Sequence, residues 1–279
     1  IAIEGLSNNN LIELLAAPDS PNLYWALSEM PNPLVDCRET MRSEMSLGLR
    51  IVPILLDVES AVHSSEEWSR LLREAFASVG EIGPYLSDGM PNFEESLFTT
   101  GVSLLTYPVA KKRLIAAGKA PAEIENMSVG QVIAIDVARE YRRIADEHEK
   151  WWYMPYSEMK KNRGRMDATL SGSRVDNPGK LLAASLLPAI ESCRTAQMRT
   201  QWHRNALLTL EALRMHAAVA GKFPETLAEI TVVPVPDNPI TEEPYVYRLD
   251  GEMAVLELPF SDGMPGVSWR FEMKLAEKE

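Results

Sequence analysis

No catalytic signature stands out in this chain. There is no GxSxG nucleophile elbow, no CxxC pair and no Gly-rich phosphate loop after a strand. Elbow-serine acyl transfer, dithiol redox chemistry and P-loop nucleotide chemistry are therefore without their motifs. No uncharged apolar run approaches the ~18 residues that a membrane-crossing helix needs. Basic residues are scarce: 28 Lys and Arg stand against 40 Asp and Glu, for a net charge of −12. Nucleic acid and anionic lipid both demand a basic face, so neither is expected as a partner. The only two cysteines, Cys37 and Cys193, suit either two buried free thiols or one disulfide, the thiols being the commoner fate. Finally, there is no initiator Met and no charged n-region with a short apolar h-region at the start. The opening IAIEGLSNNNLIELLAA reads as helical sequence entered midway, and an upstream segment is expected before Ile1.

What is present is mostly helix. Ser20-Pro21 supplies an N-cap and a pre-set first residue for a helix that stops at Pro31. Asn32-Pro33 repeats the device for a helix that Pro53 should kink or end. Ser64 with Glu67 forms a capping box. Asn92 and Phe93 precede a further helix, with Pro108 as a break and Gly118 as its stop. Ser128 opens the helix that reaches WWY, and Asn177-Pro178 restarts helix that Pro188 should bend. Between them, KKNRGRMDATLSGSRVDNPG is polar and Gly-rich and reads as a long exposed loop. Further on, Arg199, Trp202, Ala206, Leu210, Leu213, Ala217 and Ala220 recur at helical spacing as a single apolar stripe.

After Gly221 the alphabet changes. Pro224 fits the first turn of a short helix ending at Ile230, and VVPVP cannot be helical. Tyr245 to Leu249 reads as a strand, Asp250-Gly251 as a hairpin turn, and Met253 to Leu258 as the return. Trp269 to Lys274 adds a third strand. The pentapeptide SDGMP occurs at Ser87–Pro91 and Ser261–Pro265 as recurrent turn chemistry. The expected fold is mainly α. A multi-helical body over residues 1–190 leads into a small α+β module over residues 191–279, a long helix plus an antiparallel hairpin.

The segments SPNLYWALSEMPNPLVDCR, YPVAKKRLIAAGKAPAEIENMSVGQVIAI and ALRMHAAVAGKFPETLAEI resemble a planctomycete family of secreted or envelope proteins. The resemblance spans most of the chain and implies an extracytoplasmic or envelope-associated protein. The C-terminal part is also similar to the globular module of type II secretion major pseudopilins. The shared order is a long helix, Gly221-Lys222-Phe223-Pro224 with Leu227, a Pro/Asp loop, and Pro244-Tyr245 entering a hairpin. The pseudopilins' apolar N-terminal segment has no counterpart in these residues. Their calcium loop corresponds to Ser261-Asp262-Gly263, which makes Asp262 and Asp237, with Asn238 and Glu242 nearby, the weak candidates for calcium. That ion needs six to eight oxygens, more than these side chains offer. No other cofactor is expected.

The densest polar cluster is Asp146-Glu147-His148-Glu149-Lys150, followed by Trp151-Trp152. His148 has no ligand-type residue at i±4, so it lacks helical metal spacing, and a solvated helix end with an aromatic anchor accounts for the run. Glu59, His63 and Glu67 do fall at i, i+4 and i+8, but the Ser64 cap starts a new helix between them. The binding candidates are Trp151, Trp152, Tyr153 and Tyr156 with Glu147 and Glu149, because clustered aromatics anchor interfaces or stack on sugars. Two functions fit. One is a non-catalytic envelope protein acting through contacts with an unidentified protein partner. The other is a hydrolase-like or carbohydrate-active enzyme using the acidic, Trp-lined stretch around residue 150.

Overall fold

The computed structural model describes residues 10–15, 17, 20–33, 36–46, 49–50, 52–60, 63–86, 95–171, 177–259 and 268–275. They form two compact units. One spans Arg38–Glu191, and the other joins Ile1–Cys37 to Ser192–Glu279. The fold is mainly helical with a small three-stranded antiparallel sheet near the C-terminus. The division falls between Glu191 and Ser192. The N-terminal segment, expected within the helical body, clusters instead with the C-terminal residues. The reason is a set of side chains from the long C-terminal helix that grip its backbone.

Helix α1 (Tyr24–Glu29) belongs to the unit that contains the C-terminus. The unit of residues 38–191 is built around one helix, and its elements are α2 (Arg38–Met45), α3 (Ser65–Leu86), α4 (Glu95–Ala116), α5 (Pro121–Glu125), α6 (Val129–Lys150), α7 (Tyr156–Lys161), α8 (Arg163–Leu170) and the start of α9 (Pro178–Ala220). Helix α6 buries Val132 through Ala138 without interruption, then Tyr141, Ile144 and Ala145, and α2, α3, α4 and α8 all pack on it. Helices come unusually close at two places. A Cβ on Gly130 would lie 2.8 Å from that of Trp68, and one on Gly179 only 2.6 Å from the Val137 carbonyl oxygen. Arg113 of α4 donates to Asp136 of α6 (Nε to Oδ1, 2.9 Å), which is 3% exposed. The buried carboxylate thus keeps a planar, two-pronged partner, which is what a buried charge requires.

Local signals set several boundaries as expected. Ser64 N donates to Glu67 Oε2 (2.8 Å) and Glu67 N to Ser64 Oγ (3.2 Å), a complete capping box. The Ser128 hydroxyl accepts from Gln131 N (3.2 Å), and Asn177 Oδ1 accepts from Lys180 N (3.0 Å) ahead of Pro178. Gly118 and Gly221 close α4 and α9 with φ of 95° and 73°, the left-handed conformation in which a glycine carries no Cβ penalty.

Other expectations fail. Helix α4 runs straight through Pro108, because one missing N–H costs less than the packing of α4 against α6 and α3. The region read as a long exposed loop contains α8 and the end of α7, and α8 buries Met166 at 2% exposure. Gly164, Asp167 and Thr169 are poor helix formers, and docking on α6 outweighs their preference. Ser20-Pro21 lies outside α1. Asn22 Oδ1 instead accepts from Tyr24 N at 3.0 Å. Asn32-Pro33 starts no helix, since α2 begins at Arg38. The short helix after Pro224 is one 3₁₀ turn, Leu227–Glu229. Asn92, Phe93 and both SDGMP segments fall outside the described residues.

In the other unit, α9 is enclosed rather than one-sided. Residues 204–213 are all buried, so the expected stripe is only part of what is covered. The sheet follows in the order β1 (Val246–Asp250), β2 (Met253–Leu258), β3 (Trp269–Met273), with Asp250 opposite Met253 across the Gly251-Glu252 turn. Central strand β2 is the most buried, with Ala254, Val255, Leu256 and Leu258 at 0% exposure. Tyr245 Oη donates to the Trp202 carbonyl (2.7 Å) and fixes the start of β1 to α9.

Candidate functional site

The C-terminal end of α6 carries the aromatic and acidic candidates. Trp151 and Trp152 are each 5% exposed and Tyr156 is 4% exposed, whereas Tyr153 is 48% exposed. The two indoles and Tyr156 are packing residues and have no ring face for a sugar. Glu147 pairs with Lys150, one turn on. Glu149 accepts from Arg42 Nε at 2.7 Å, and Arg42 Nη2 donates to Tyr153 Oη at 2.9 Å. Both carboxylates therefore hold cations at a helix end, and the candidates do not converge on a cleft. A cavity among the described residues of this unit lies elsewhere, is water-sized at about 30 Å³, and is lined by apolar residues including Leu55, Leu72 and Val137.

His148 departs from the sequence reading. The run around it was expected to be a solvated helix end, yet its side chain is 2% exposed. Its Nε2 lies 3.0 Å from Thr169 Oγ1 of α8, and its Nδ1 3.1 Å from Glu191 Oε1 of α9. The order hydroxyl, imidazole, carboxylate resembles a nucleophile with its base and orienting acid. Proton counting rejects that assignment. Thr169 has one hydroxyl proton and donates it to the Met166 carbonyl at 2.6 Å, so Nε2 must be the donor to Thr169. A histidine that donates through Nε2 cannot take a proton from the same hydroxyl. The Nδ1–Glu191 pair stands at ion-pair distance without hydrogen-bond alignment. The cluster ties α8 and α9 to α6. Residues 148, 169 and 191 lie too far apart in sequence for helical spacing to reveal it.

A second polar assembly lies in the other unit and also escaped the sequence reading. Glu211 of α9 is fully buried (0% exposed). Its Oε2 accepts from Leu23 N at 2.6 Å, and its Oε1 accepts from Arg214 Nη1 at 2.6 Å. Arg214 Nη2 donates to the Ser20 carbonyl at 2.6 Å, and Asn22 Nδ2 to the Glu211 carbonyl at 2.9 Å. Seven positions earlier, Arg204 Nη2 donates to the carbonyls of Leu27 (2.8 Å) and Met30 (2.6 Å). Helix α1 thus runs antiparallel to α9, with a carboxylate at its positive end and a guanidinium at its negative end. Seven residues of α9 advance about 10 Å, close to the length of a six-residue helix, so the two charges match the two ends of α1 and its dipole. Tyr24 Oη completes the seat by donating to the Pro234 carbonyl. The available signal was Arg204, Asn205 and Glu211 standing inside an otherwise apolar helical run.

His203 sits one turn before Leu207 among aromatic rings. Its centroid is 5.2 Å from that of Trp202 and 5.2 Å from that of Trp269, which stacks on Phe271. Burial, reinforced by the charge of Arg199, pushes its pKa from 6.5 down to about 4. The unfolded chain then binds a proton that the native state refuses between about pH 4 and pH 6.5. Stability must therefore rise with pH through that window and fall on acidification. The full displacement corresponds to ~3 kcal/mol, and solvent screening at this half-buried ring reduces the expected contribution to ~1–2 kcal/mol. Urea midpoints at pH 4.5 and 7 measure it. His203→Phe should flatten the difference by that amount, and an unchanged pH profile in the variant would refute the assignment.

Among the described residues no group of three or more His, Cys, Asp or Glu side chains could hold a metal ion. His63 Nδ1 stands 4.0 Å from Glu67 Oε2, whose partner is the Ser64 cap. Asp262 lies outside the described residues. Asp237 is exposed, its carbonyl accepts from Asn205 Nδ2 (3.0 Å), and Asn238 Oδ1 accepts from Ile240 N (3.0 Å). Neither Cys37 nor Cys193 is in a disulfide, and among the described residues no helix is long and apolar enough to cross a membrane. Compared with known proteins, the chain matches no family model, no curated protein and no solved structure.

Proposed function

We propose that the chain is an extracytoplasmic, envelope-associated protein that acts through contacts with another protein and whose C-terminal module is pseudopilin-like. The carrying observation is Trp25. It is 62% exposed on α1, a helix gripped at both ends by Glu211 and Arg204. A large exposed indole on a rigid mount is the kind of side chain that dominates a protein interface when buried by a partner. Its neighbour Tyr24 points inward and anchors the helix, with the two rings edge to face at 5.4 Å. The order of a long helix, a proline-rich loop and an antiparallel sheet supports the pseudopilin-like reading of residues 191–279. The net charge of −12 favours a protein surface over a polyanion.

The test is affinity capture from native envelope extracts with the wild-type chain and with Trp25→Ala. The wild type should retain a specific protein at least tenfold better than the variant, since loss of an interface tryptophan costs ~2 kcal/mol or more. The variant's melting temperature should be unchanged, because a surface substitution lies within about half a kcal/mol. Equal capture by both chains would remove Trp25 as the contact, and recovery only from cytoplasmic fractions would remove the envelope location.

A further inference from the structure

Between α9, β3 and the helical residues 10–15 lies a cavity of about 140 Å³. Its floor is Leu207 and Leu210, one wall is Phe271 and Met273, and the other is Ile12 and Leu15. Glu211, Arg214 and Glu272 also line it, and each of these charges is already engaged. Glu211 holds Leu23 N and Arg214, and Arg214 also holds the Ser20 carbonyl. Glu272 pairs with Arg270 at 2.7 Å. An ionic ligand would have to displace one of these partners, so the chemistry left on offer is apolar contact. Ile12, Leu15, Phe271 and Met273 are only half-buried and Glu272 is exposed, which leaves a way in from solvent.

Size then narrows the ligand. A dry cavity of about 150 Å³ lined by Leu, Ile and Phe in another protein takes up benzene or xenon. We infer that the cavity formed by Leu207, Leu210, Phe271, Met273, Ile12 and Leu15 binds a small neutral apolar molecule with a single ring or a short branched alkyl group. A carboxylate, phosphate or ammonium on that ligand would meet no free counter-charge among the described lining residues. A ligand longer than one ring would exceed the volume. Binding here does not depend on the partner contact assigned to Trp25.

Benzene is the probe, added to the full chain labelled with ¹³C at its methionine methyls. Met273 lines the cavity, whereas Met41, Met45, Met159 and Met166 are buried in the unit of residues 38–191 and serve as internal references. Met273→Leu identifies its resonance. The expected result is a saturable shift of the Met273 methyl with the references still. Ile12→Trp should fill the space from the half-buried wall and abolish that shift. Leu15→Trp provides the same block if the first variant does not fold. No shift at saturating benzene, a common drift of all methyls, or an undiminished shift in a folded filled variant would each overturn the assignment.

Discussion

Replacing Glu211 by alanine is expected to destabilise the protein by about 3–5 kcal/mol. The carboxylate is 0% exposed, and each of its oxygens has a short partner, Leu23 N and Arg214 Nη1. Removing it leaves the Arg214 guanidinium, itself only 27% exposed, without its counter-charge. It also leaves the backbone N–H at the start of α1 without an acceptor. The guanidinium keeps only the Ser20 carbonyl and the N–H keeps no acceptor, so the penalty exceeds the ordinary ~1 kcal/mol worth of a hydrogen bond. Glu211→Gln retains one acceptor oxygen and should cost less, about 2 kcal/mol. Urea denaturation gives the free energies, and amide exchange at Leu23 reports the local release of α1. The surface pair Arg70–Glu74, with both side chains more than half exposed, is the control. Glu74→Ala should cost under about 1 kcal/mol. A similar small loss for Glu211→Ala would mean that α1 is held by packing alone.

The contrast between these two ion pairs also marks what the sequence could reveal. Features that need only near neighbours were legible. The Ser64–Glu67 box, the Ser128 and Asn177 caps, the Gly221 stop and the Asp250-Gly251 hairpin each close within about four residues. Their chemistry is local, so the residue order carries it. Features decided by packing were not. Pro108, and Gly164 with Asp167 in the polar run before Ser171, both argue against helix by propensity, and both lie in helices docked on α6. The binding candidates at residues 147–156 stand out by residue type, which says nothing about exposure. Trp151 and Trp152 turn inward, and the exposed indole is Trp25. His148 and Glu211 were hidden for the opposite reason, since charge suggests solvent until a partner far along the chain is known. A polar residue interrupting an apolar helical run is the one local hint of such a site.

Leu213→Ala is expected to cost about 2–5 kcal/mol, and the enclosure of α9 is why the upper half of that range applies. The side chain is 0% exposed and lies in a stretch where residues 204–213 are buried on all sides of the helix. A leucine on a one-sided stripe can be compensated by solvent or by small shifts of its neighbours. An enclosed one leaves a void that the helix, gripped through Arg204 and Glu211, cannot close by moving. The transfer loss and the cavity term then both count. Leu210 offers an internal comparison, because it already borders the 140 Å³ cavity. Truncating it enlarges an existing space and removes fewer contacts, so its cost should fall at the lower end, about 2 kcal/mol. Val219, at 74% exposure on the last turn, should tolerate alanine within about half a kcal/mol. The expected ranking under urea is Leu213 above Leu210 above Val219. If Leu213 and Leu210 both cost less than half a kcal/mol, α9 is open to solvent along this face and free to meet a partner there.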